Sequence, residues 1–386
     1  MSSLAILLAA LAVLLGLARV FGTVAARLGQ PAVVGEIACG VLVGAVLSTG
    51  PAFPAAVDTT LSAIAQLGLT LFLFTVGARL APAMTGRGSP LMPALGAAVV
   101  PFALGAALAL WLAGRHAPAG TPVFVLFVAS AMAVTAFPVL ARILAERGML
   151  DEPAGQRALS AAAIIDAGAW TMLVFVTAAV HDGTRVWSLA MAFPMLLALL
   201  GISRPRFGRW VAGLSRPAAT TVVFGLACAG AAATDAIGLH AAIGAFLVGF
   251  AVGRSAPRAD LAALVVPHSI VLAPLYFVLV GRGVDLGDLD LALVAETAAI
   301  VVVGVVGKCG GGYLGARLAG TPRRSAAEFA ALMNTRGVTE LVFVSIGLGL
   351  GVIDGPIYTA MVVMALVTTA MTGPLLNRLR QPSEVA

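Results

Sequence analysis

The chain has 386 residues, of which 60% are hydrophobic and only 10% are charged, with a formal net charge of +6. A soluble globular domain carries about 25% charged residues, so this composition excludes an ordinary soluble protein and indicates an integral membrane protein. Cys39, Cys228 and Cys309 lie in apolar stretches, without the spacing of a metal site or a disulfide framework. We interpret them as packing residues.

Thirteen segments are apolar over about the 20 residues that a helix needs to cross the hydrocarbon of a bilayer. We interpret the first as a spanning helix rather than a signal peptide, because it has neither a basic leading region nor a small-residue cleavage site. The sequence therefore predicts an all-α integral membrane protein with thirteen transmembrane helices. The approximate bounds of these spans are 4–27, 31–49, 58–79, 90–114, 121–145, 155–180, 186–202, 218–237, 239–254, 263–283, 290–318, 326–350 and 355–377.

Arginine is distributed unevenly among the predicted loops. The loops after even-numbered spans hold only Arg185 and, at helix ends, Arg115 and Arg282. By the positive-inside rule, the N-terminus lies outside and the C-terminus in the cytoplasm of a multi-pass protein in the cell membrane. This topology explains the positive charge without nucleic acid as a partner. The loops after odd-numbered spans contain Arg79, Arg87, Arg147, Arg204, Arg206, Arg209, Arg216, Arg254, Arg258, Arg323, Arg324, Arg378 and Arg380.

The odd number of spans predicts two inverted repeats, at about 1–180 and 218–378, linked by the helix 186–202. The second repeat would begin on the opposite side of the membrane from the first, and this architecture is typical of secondary transporters. Because the loops are short and the chain ends soon after the last span, we expect a single transmembrane domain over 1–386. We expect no C-terminal regulatory domain.

The fifth span of each predicted repeat is interrupted. In the first repeat, "SAMAVTAFPVLARIL" contains Pro138, which removes an amide donor; Ser130 and Thr135 can compensate through local hydrogen bonds. In the second repeat, "LMNTRGVTELVFVSIG" carries Asn334, Thr335, Arg336, Gly337, Thr339 and Glu340. Paired interruptions at membrane depth indicate an ion or substrate site near the midplane. The alternative is that both are kinked helices with a structural role only.

Two charged residues lie deep inside other spans, where charges are rare and usually functional. Asp166 lies in the middle of "SAAAIIDAGAW", and Lys308 is the only lysine among the 23 basic residues. Burial favours a protonated carboxylate and a nearby cation favours an ionised one, so Asp166 could bind a proton or a small cation in turn. Alternating exposure of such a site to the two sides is proton antiport. The alternatives are that Asp166 only bridges helices and that Lys308 reaches an interface.

These stretches, together with "PAVVGEIACGVLVG", "LFLFTVGARL", "GLHAAIGAFLVG" and "GKCGGGYLGARLAG", resemble the monovalent cation:proton antiporter-2 family. The resemblance covers nearly the whole chain, with the motifs in the same order. It implies thirteen helices with two crossing discontinuous helices, usually a homodimer, and an elevator-like motion. No cofactor is expected, and the partners are the lipid bilayer, protons and a monovalent cation.

The resemblance also implies roles for individual residues. Asp166, four residues before Trp170, matches the family's cation- and proton-binding aspartate, and Thr135 matches a polar residue beside it. Lys308 matches the conserved lysine. The coupling or charge-compensating positions of the second interruption are matched by Arg336 and Glu340, and the supporting positions of the two interruptions are Ser130, Pro138, Asn334 and Gly337.

One position departs from the family. Many electrogenic members have an acidic residue directly before the aspartate, and that residue pairs with the lysine, but this chain has Ile165. Lys308 then either pairs with Asp166 or is neutral. We expect the pair, because an unpaired buried ammonium is costly. One carboxylate per site favours electroneutral exchange, whereas titration of Lys308 during the cycle would let two protons move.

The leading hypothesis is an antiporter that exchanges protons for Na⁺, Li⁺ or K⁺. An exporter of an organic substrate on the same fold is the alternative, and a channel or receptor without coupled turnover is a third. An enzyme is not expected, because the chain has no nucleophile pair, phosphate-binding loop or dinucleotide fingerprint.

Overall fold

In this computed structural model the described residues are 2–49, 53–83, 91–149, 152–180, 197–237, 241–256, 261–284 and 291–380. Within these residues all regular secondary structure is helical, and a short 3₁₀ helix covers Leu261–Leu264. The α-helices are α1 Ser3–Arg27, α2 Ala32–Thr49, α3 Ala55–Ala83, α4 Leu91–His116, α5 Thr121–Ala133, α6 Phe137–Glu146, α7 Pro153–Val180, α8 Pro205–Ala212, α9 Arg216–Ala236, α10 Ala241–Ser255, α11 Val266–Arg282, α12 Leu291–Leu318, α13 Arg323–Met333, α14 Val338–Gly349 and α15 Gly355–Arg380.

The described helices follow the predicted spans closely. Seven of them are long and apolar enough to cross a membrane, and five more are shorter apolar helices. The predicted interruptions are present, since the fifth span is divided into α5 and α6 and the twelfth into α13 and α14. Most of the seventh predicted span lies outside the described residues, with only 197–202 helical. The count of thirteen therefore stays a prediction.

One helix differs from the sequence analysis, which placed residues 203–217 in a loop. The structure forms α8 there, over eight residues that include Arg206 and Arg209. A search for spans of about 20 apolar residues cannot detect so short and polar a helix.

The outward side chains of α1 indicate its environment. Leu4, Leu8, Val13 and Val20 are exposed, and only 17% of the most apolar window of this helix is buried within the protein. Such an apolar surface along a whole helix is suited to hydrocarbon rather than water.

The chain forms two compact units. The first comprises Met1–Val24, Gly35–Thr85 and His181–Gly283. In it α3 packs against α10 at glycines: a Cβ added at Gly77 or Gly249 would lie 2.1 Å from a carbonyl oxygen of the facing helix. Close backbone approach through glycine is the usual means of packing helices in lipid.

The second unit comprises Ala25–Val34, Gly86–Val180 and Val284–Ala386. It contains α4–α7 and α12–α15, and therefore both interrupted helices. The most extensive packing in it joins α4 to α12. A Cβ added at Gly96 or Gly311 would lie 2.4 or 2.3 Å from a carbonyl oxygen of the other helix. This packing fixes α12, which bears Lys308, against α4.

Candidate functional site

The two helix interruptions cross inside the second unit. The backbone is not helical at 134–136 or at 335–337, and the amide of Ala136 donates to the carbonyl of Thr335 over 3.2 Å. Each interruption leaves one helix C-terminus and one helix N-terminus in the protein interior. The free carbonyls of each C-terminus and the free amides of each N-terminus then need hydrogen-bond partners.

Asp166 lies halfway along α7 and its side chain is completely buried. Its Oδ2 accepts the amide of Phe137, the first residue of α6, over 3.3 Å, and lies 3.5 Å from the hydroxyl of Thr339, in the first turn of α14. The carboxylate is thus at the positive ends of two helices, which favour an anion. Oδ1 accepts no hydrogen bond from any described residue.

Lys308 lies by the C-terminal end of α5, which is the negative end of that helix. Its Nζ donates to the hydroxyl of Thr135 over 2.6 Å, to the carbonyl of Ala97 over 3.0 Å and to the carbonyl of Ala133. Three acceptors use all three hydrogens of an ammonium group. The sequence predicts a direct pair with Asp166, but the structure gives Lys308 neutral oxygen partners instead. None of the ion pairs among the described residues includes Lys308.

Arg336 neutralises the same helix end from the other interruption. Its guanidinium donates to the carbonyls of Ala131 and Met132 over 3.2 and 2.7 Å and pairs with Glu340 over 2.6 Å. Neither side chain of this ion pair is exposed. A buried pair of this kind is maintained by its additional hydrogen bonds, so Arg336 links α14 to the end of α5.

Two threonines of α15 hold the second interruption in place, Thr369 through its hydroxyl and Thr368 through its backbone carbonyl. The Oγ1 of Thr369 donates to the carbonyl of Arg336 over 2.5 Å and accepts its amide over 3.2 Å. The side-chain amide of Asn334 donates to the backbone carbonyl of Thr368 over 3.1 Å and so attaches the interruption to α15. The two bonds of Thr369 satisfy the backbone groups of Arg336, which the interruption removes from the helical pattern.

The supporting residues predicted from sequence occupy defined positions. Ser130 donates to Leu126 one turn earlier, over 2.7 Å, so it stabilises α5 itself. Pro138 is the second residue of α6, a position where a missing amide hydrogen costs little. Gly337 has a φ of 150°, where other residues are rarely found, and a Cβ there would lie 2.9 Å from Val139.

Two kinds of site residue were missed by the sequence analysis. The sequence pattern identifies Thr339 only as one polar residue of the interruption, and it does not assign Thr368 or Thr369 to the site. The signal for α15 is the segment "TTAMT", which places three hydroxyls within one turn and a half of an otherwise apolar span. No comparable signal distinguishes Thr339 from its polar neighbours.

A second group of charged residues joins other helix ends. His116, the last residue of α4, places Nδ1 2.6 Å from Asp354 and Nε2 3.0 Å from Glu296, which also pairs with Arg115 over 2.7 Å. Glu296 precedes Lys308 by twelve residues of α12, which is about 18 Å along the helix axis. This group therefore ties α4, α12 and the start of α15 together away from the crossing.

The chain is similar in sequence to known proteins over nearly its whole length. Residues 9–379 match the family described as "Sodium/hydrogen exchanger, transmembrane". The Na⁺/H⁺ antiporter NhaS4 of Synechocystis sp. is 32% identical over 410 residues, which cover 98% of each chain. Cation/H⁺ antiporter 17 of Arabidopsis thaliana is 31% identical over 409 residues, covering 99% of this chain and 49% of the plant protein. The chain thus spans about half the length of that relative.

The fold also matches a solved structure. The sodium proton antiporter MjNhaP1 from Methanocaldococcus jannaschii has a TM-score of 0.71 over 100% of both chains, with 14% sequence identity. At that identity the likeness concerns the fold alone, and it confirms the predicted architecture of membrane helices with interruptions.

Proposed function

Because the chain belongs to the transmembrane sodium/hydrogen exchanger family, and is therefore a multi-pass membrane protein, we propose that it exchanges protons for a monovalent cation. The cation is Na⁺, Li⁺ or K⁺, and the transport proceeds by alternating access across the cell membrane. The observation that carries this proposal is the carboxylate of Asp166, which is completely buried at the crossing of two interrupted helices. In the part of the chain that the structure describes, one of its oxygens has no hydrogen-bond donor.

Asp166 binds the two substrates in competition. The amide of Phe137 already donates to Oδ2, which leaves Oδ1 to take up either a proton or a cation. A protonated carboxyl group has lost the charge that attracts a metal ion, so the two substrates exclude each other. Thr339 offers a hydroxyl oxygen next to the carboxylate as a further cation ligand.

Thr135 and Lys308 act together beside this site. The Thr135 hydroxyl accepts from Lys308 and keeps one lone pair, so it can still contribute to cation binding as the family resemblance implies. Only the ammonium form of Lys308 satisfies its three acceptors at once. Lys308 therefore keeps its proton through the cycle and compensates the carboxylate from a distance.

The stoichiometry follows from this assignment. Ile165 supplies no second carboxylate, and Lys308 does not exchange its proton, so Asp166 alone changes its protonation state. Exchange is then one proton for one cation and electroneutral. Arg336 and Glu340 form a fixed neutral pair that supports the crossing without taking part in the exchange.

The topology and assembly belong to the same proposal. The distribution of arginine supports an outer N-terminus and a cytoplasmic C-terminus. The position of one interruption in each half of the chain supports inverted repeats over about 1–180 and 218–378. The family resemblance supports a homodimer, and transport without a cofactor or an enzymatic reaction.

Exchange in proteoliposomes tests the proposal. Vesicles that contain the purified protein and an acidic interior are given Na⁺, Li⁺ or K⁺ outside, and loss of the pH gradient is followed with a fluorescent dye. We expect cation-dependent proton efflux that Asp166→Asn abolishes and Asp58→Asn preserves. Asp58 is a suitable control because it is a partly exposed residue of α3 that pairs with Arg282.

Two results would reject the proposal. Proton efflux that needs an organic solute and no monovalent cation would favour an exporter on the same fold. Undiminished cation-dependent efflux by Asp166→Asn, in protein that elutes normally in gel filtration, would remove Asp166 from the mechanism.

A further inference from the structure

A basic and aromatic surface is formed by exposed residues just before α8, on α8 and at the start of α9. We call it the α8 basic surface and define it by five exposed residues, of which Trp210 is 54% exposed. It is separate in the chain from the transport site, because it belongs to the first compact unit. Its members are Arg204, Arg206, Arg209, Trp210 and Arg216.

The opposite face of α8 is fixed to the protein. Gly208 and Val211 are buried, and Val211 belongs to an apolar cluster with Val223 and Val252. A Cβ added at Gly208 would lie 2.5 Å from the carbonyl oxygen of Ser255, so α8 touches the end of α10 with its backbone. The five residues of the α8 basic surface therefore point away from a rigid attachment.

No acidic residue neutralises this surface within its own part of the sequence. Between Asp182 and Asp235 the chain has no aspartate or glutamate, and none of the ion pairs among the described residues includes an arginine of this surface. Arg206 lies in the first turn of α8 and Arg216 is the first residue of α9. A cation is unfavourable at a helix N-terminus, so helix stability does not explain Arg206 or Arg216.

The position of α8 in the chain keeps the surface next to the bilayer. Only three residues, 213–215, separate it from α9, which is apolar enough to span a membrane. Three residues extend over about 10 Å at most, so α8 lies close to the level of the headgroups at the end of α9. The positive-inside rule accounts for basic residues in this loop. It does not account for their arrangement on an amphipathic helix with an exposed tryptophan.

Arginine and tryptophan together suit one kind of partner. The guanidinium group binds phosphate through two parallel hydrogen bonds, and tryptophan favours the headgroup region of a bilayer. Short amphipathic helices with basic and aromatic side chains lie in that region and prefer anionic lipids. We propose that the α8 basic surface binds the headgroups of anionic phospholipids.

Quenching of Trp210 by brominated lipid measures this binding directly. The full-length protein is placed in nanodiscs that contain a fixed fraction of acyl-chain-brominated phosphatidylglycerol or brominated phosphatidylcholine, in otherwise identical lipid. The signal of Trp210 is the difference between the unmodified protein and Trp210→Phe, because the chain has four tryptophans. We expect stronger quenching of Trp210 by the anionic lipid.

Charge variants identify the residues responsible. An arginine near an anionic surface raises lipid affinity by about fivefold, so Arg206→Gln with Arg209→Gln should reduce the preference for phosphatidylglycerol by about tenfold or more. The matched control is Arg323→Gln with Arg378→Gln, which removes two exposed arginines of the other compact unit. This control should keep the preference.

The quenching results test lipid binding alone and do not depend on the transport mechanism. Equal quenching by the two lipids, or an unchanged preference in the Arg206/Arg209 variant, would overturn the proposal. Loss of the preference on adding inorganic phosphate at constant ionic strength would also overturn it, since the surface would then bind free phosphate rather than a lipid. Cation/proton exchange by the Arg206/Arg209 variant shows that it is folded.

Discussion

The Nζ of Lys308 lies 2.6 Å from the hydroxyl oxygen of Thr135, and both side chains are completely buried. The same nitrogen donates to the carbonyls of Ala97 and Ala133. The only lysine of the chain thus neutralises the free carbonyl end of α5, where a positive charge is favoured. The apolar side chain of Ile165 cannot pair with Lys308, and the oxygens at this helix end are the partners that the structure gives it.

The first prediction concerns this contact. Lys308→Ala leaves buried oxygens without a donor, at about 1–3 kcal/mol for each. We expect a lower unfolding temperature in detergent and an altered dependence of exchange on pH. Lys308→Arg keeps the charge and should recover part of the stability. A Lys308→Ala protein with the unfolding temperature and pH profile of the unmodified protein would contradict the role of Lys308.

The second prediction compares the two members of the buried ion pair. Arg336→Gln leaves the Glu340 carboxylate unpaired and also removes hydrogen bonds to the carbonyls of Ala131 and Met132. Breaking a buried pair costs about 3–5 kcal/mol. Glu340→Gln removes one charge but leaves those carbonyl contacts intact.

We therefore expect Arg336→Gln to be the more destabilising change, as measured by the loss of monodisperse protein after heating. Equal destabilisation by the two variants would mean that the carbonyl contacts of Arg336 contribute little.

The third prediction concerns Thr339, which the sequence analysis had not assigned. Thr339→Val keeps the shape of the side chain but removes the hydroxyl next to Asp166. A hydrogen bond or ligand to a charged group contributes about 1.5–3 kcal/mol, so the apparent KM for the cation should rise by about tenfold or more. Thr339→Ser, which keeps the hydroxyl, is the control. An unchanged KM in Thr339→Val would exclude Thr339 as a ligand.

The sequence predicts those features of the fold that the membrane imposes on the residue pattern. A span must be long and apolar, and an interrupted span needs breaking residues, so the helices, Pro138 and Gly337 were predictable. The partners of Lys308 were not, because the carbonyls and the hydroxyl come from residues 173–211 positions away in the chain. Their meeting depends on how α4 and α5 pack, which hydropathy does not encode.

The fourth prediction concerns charge movement. If Asp166 alone changes its protonation state, each cycle moves one proton against one cation and transfers no net charge. Exchange rates in proteoliposomes should then be the same with and without an imposed membrane potential set by a potassium gradient and valinomycin, with Na⁺ as the transported cation. A rate that depends on the potential would show that a second group, with Lys308 the first candidate, also releases a proton.

The most direct test of the central claim measures the apparent KM for the transported cation over a series of pH values equal on both sides of the vesicle membrane. If cation and proton compete for Asp166, the KM should rise as the pH falls, by up to about tenfold per pH unit, while the maximal rate changes much less. A KM that is independent of pH, with only the maximal rate changing, would contradict competition at a single carboxylate.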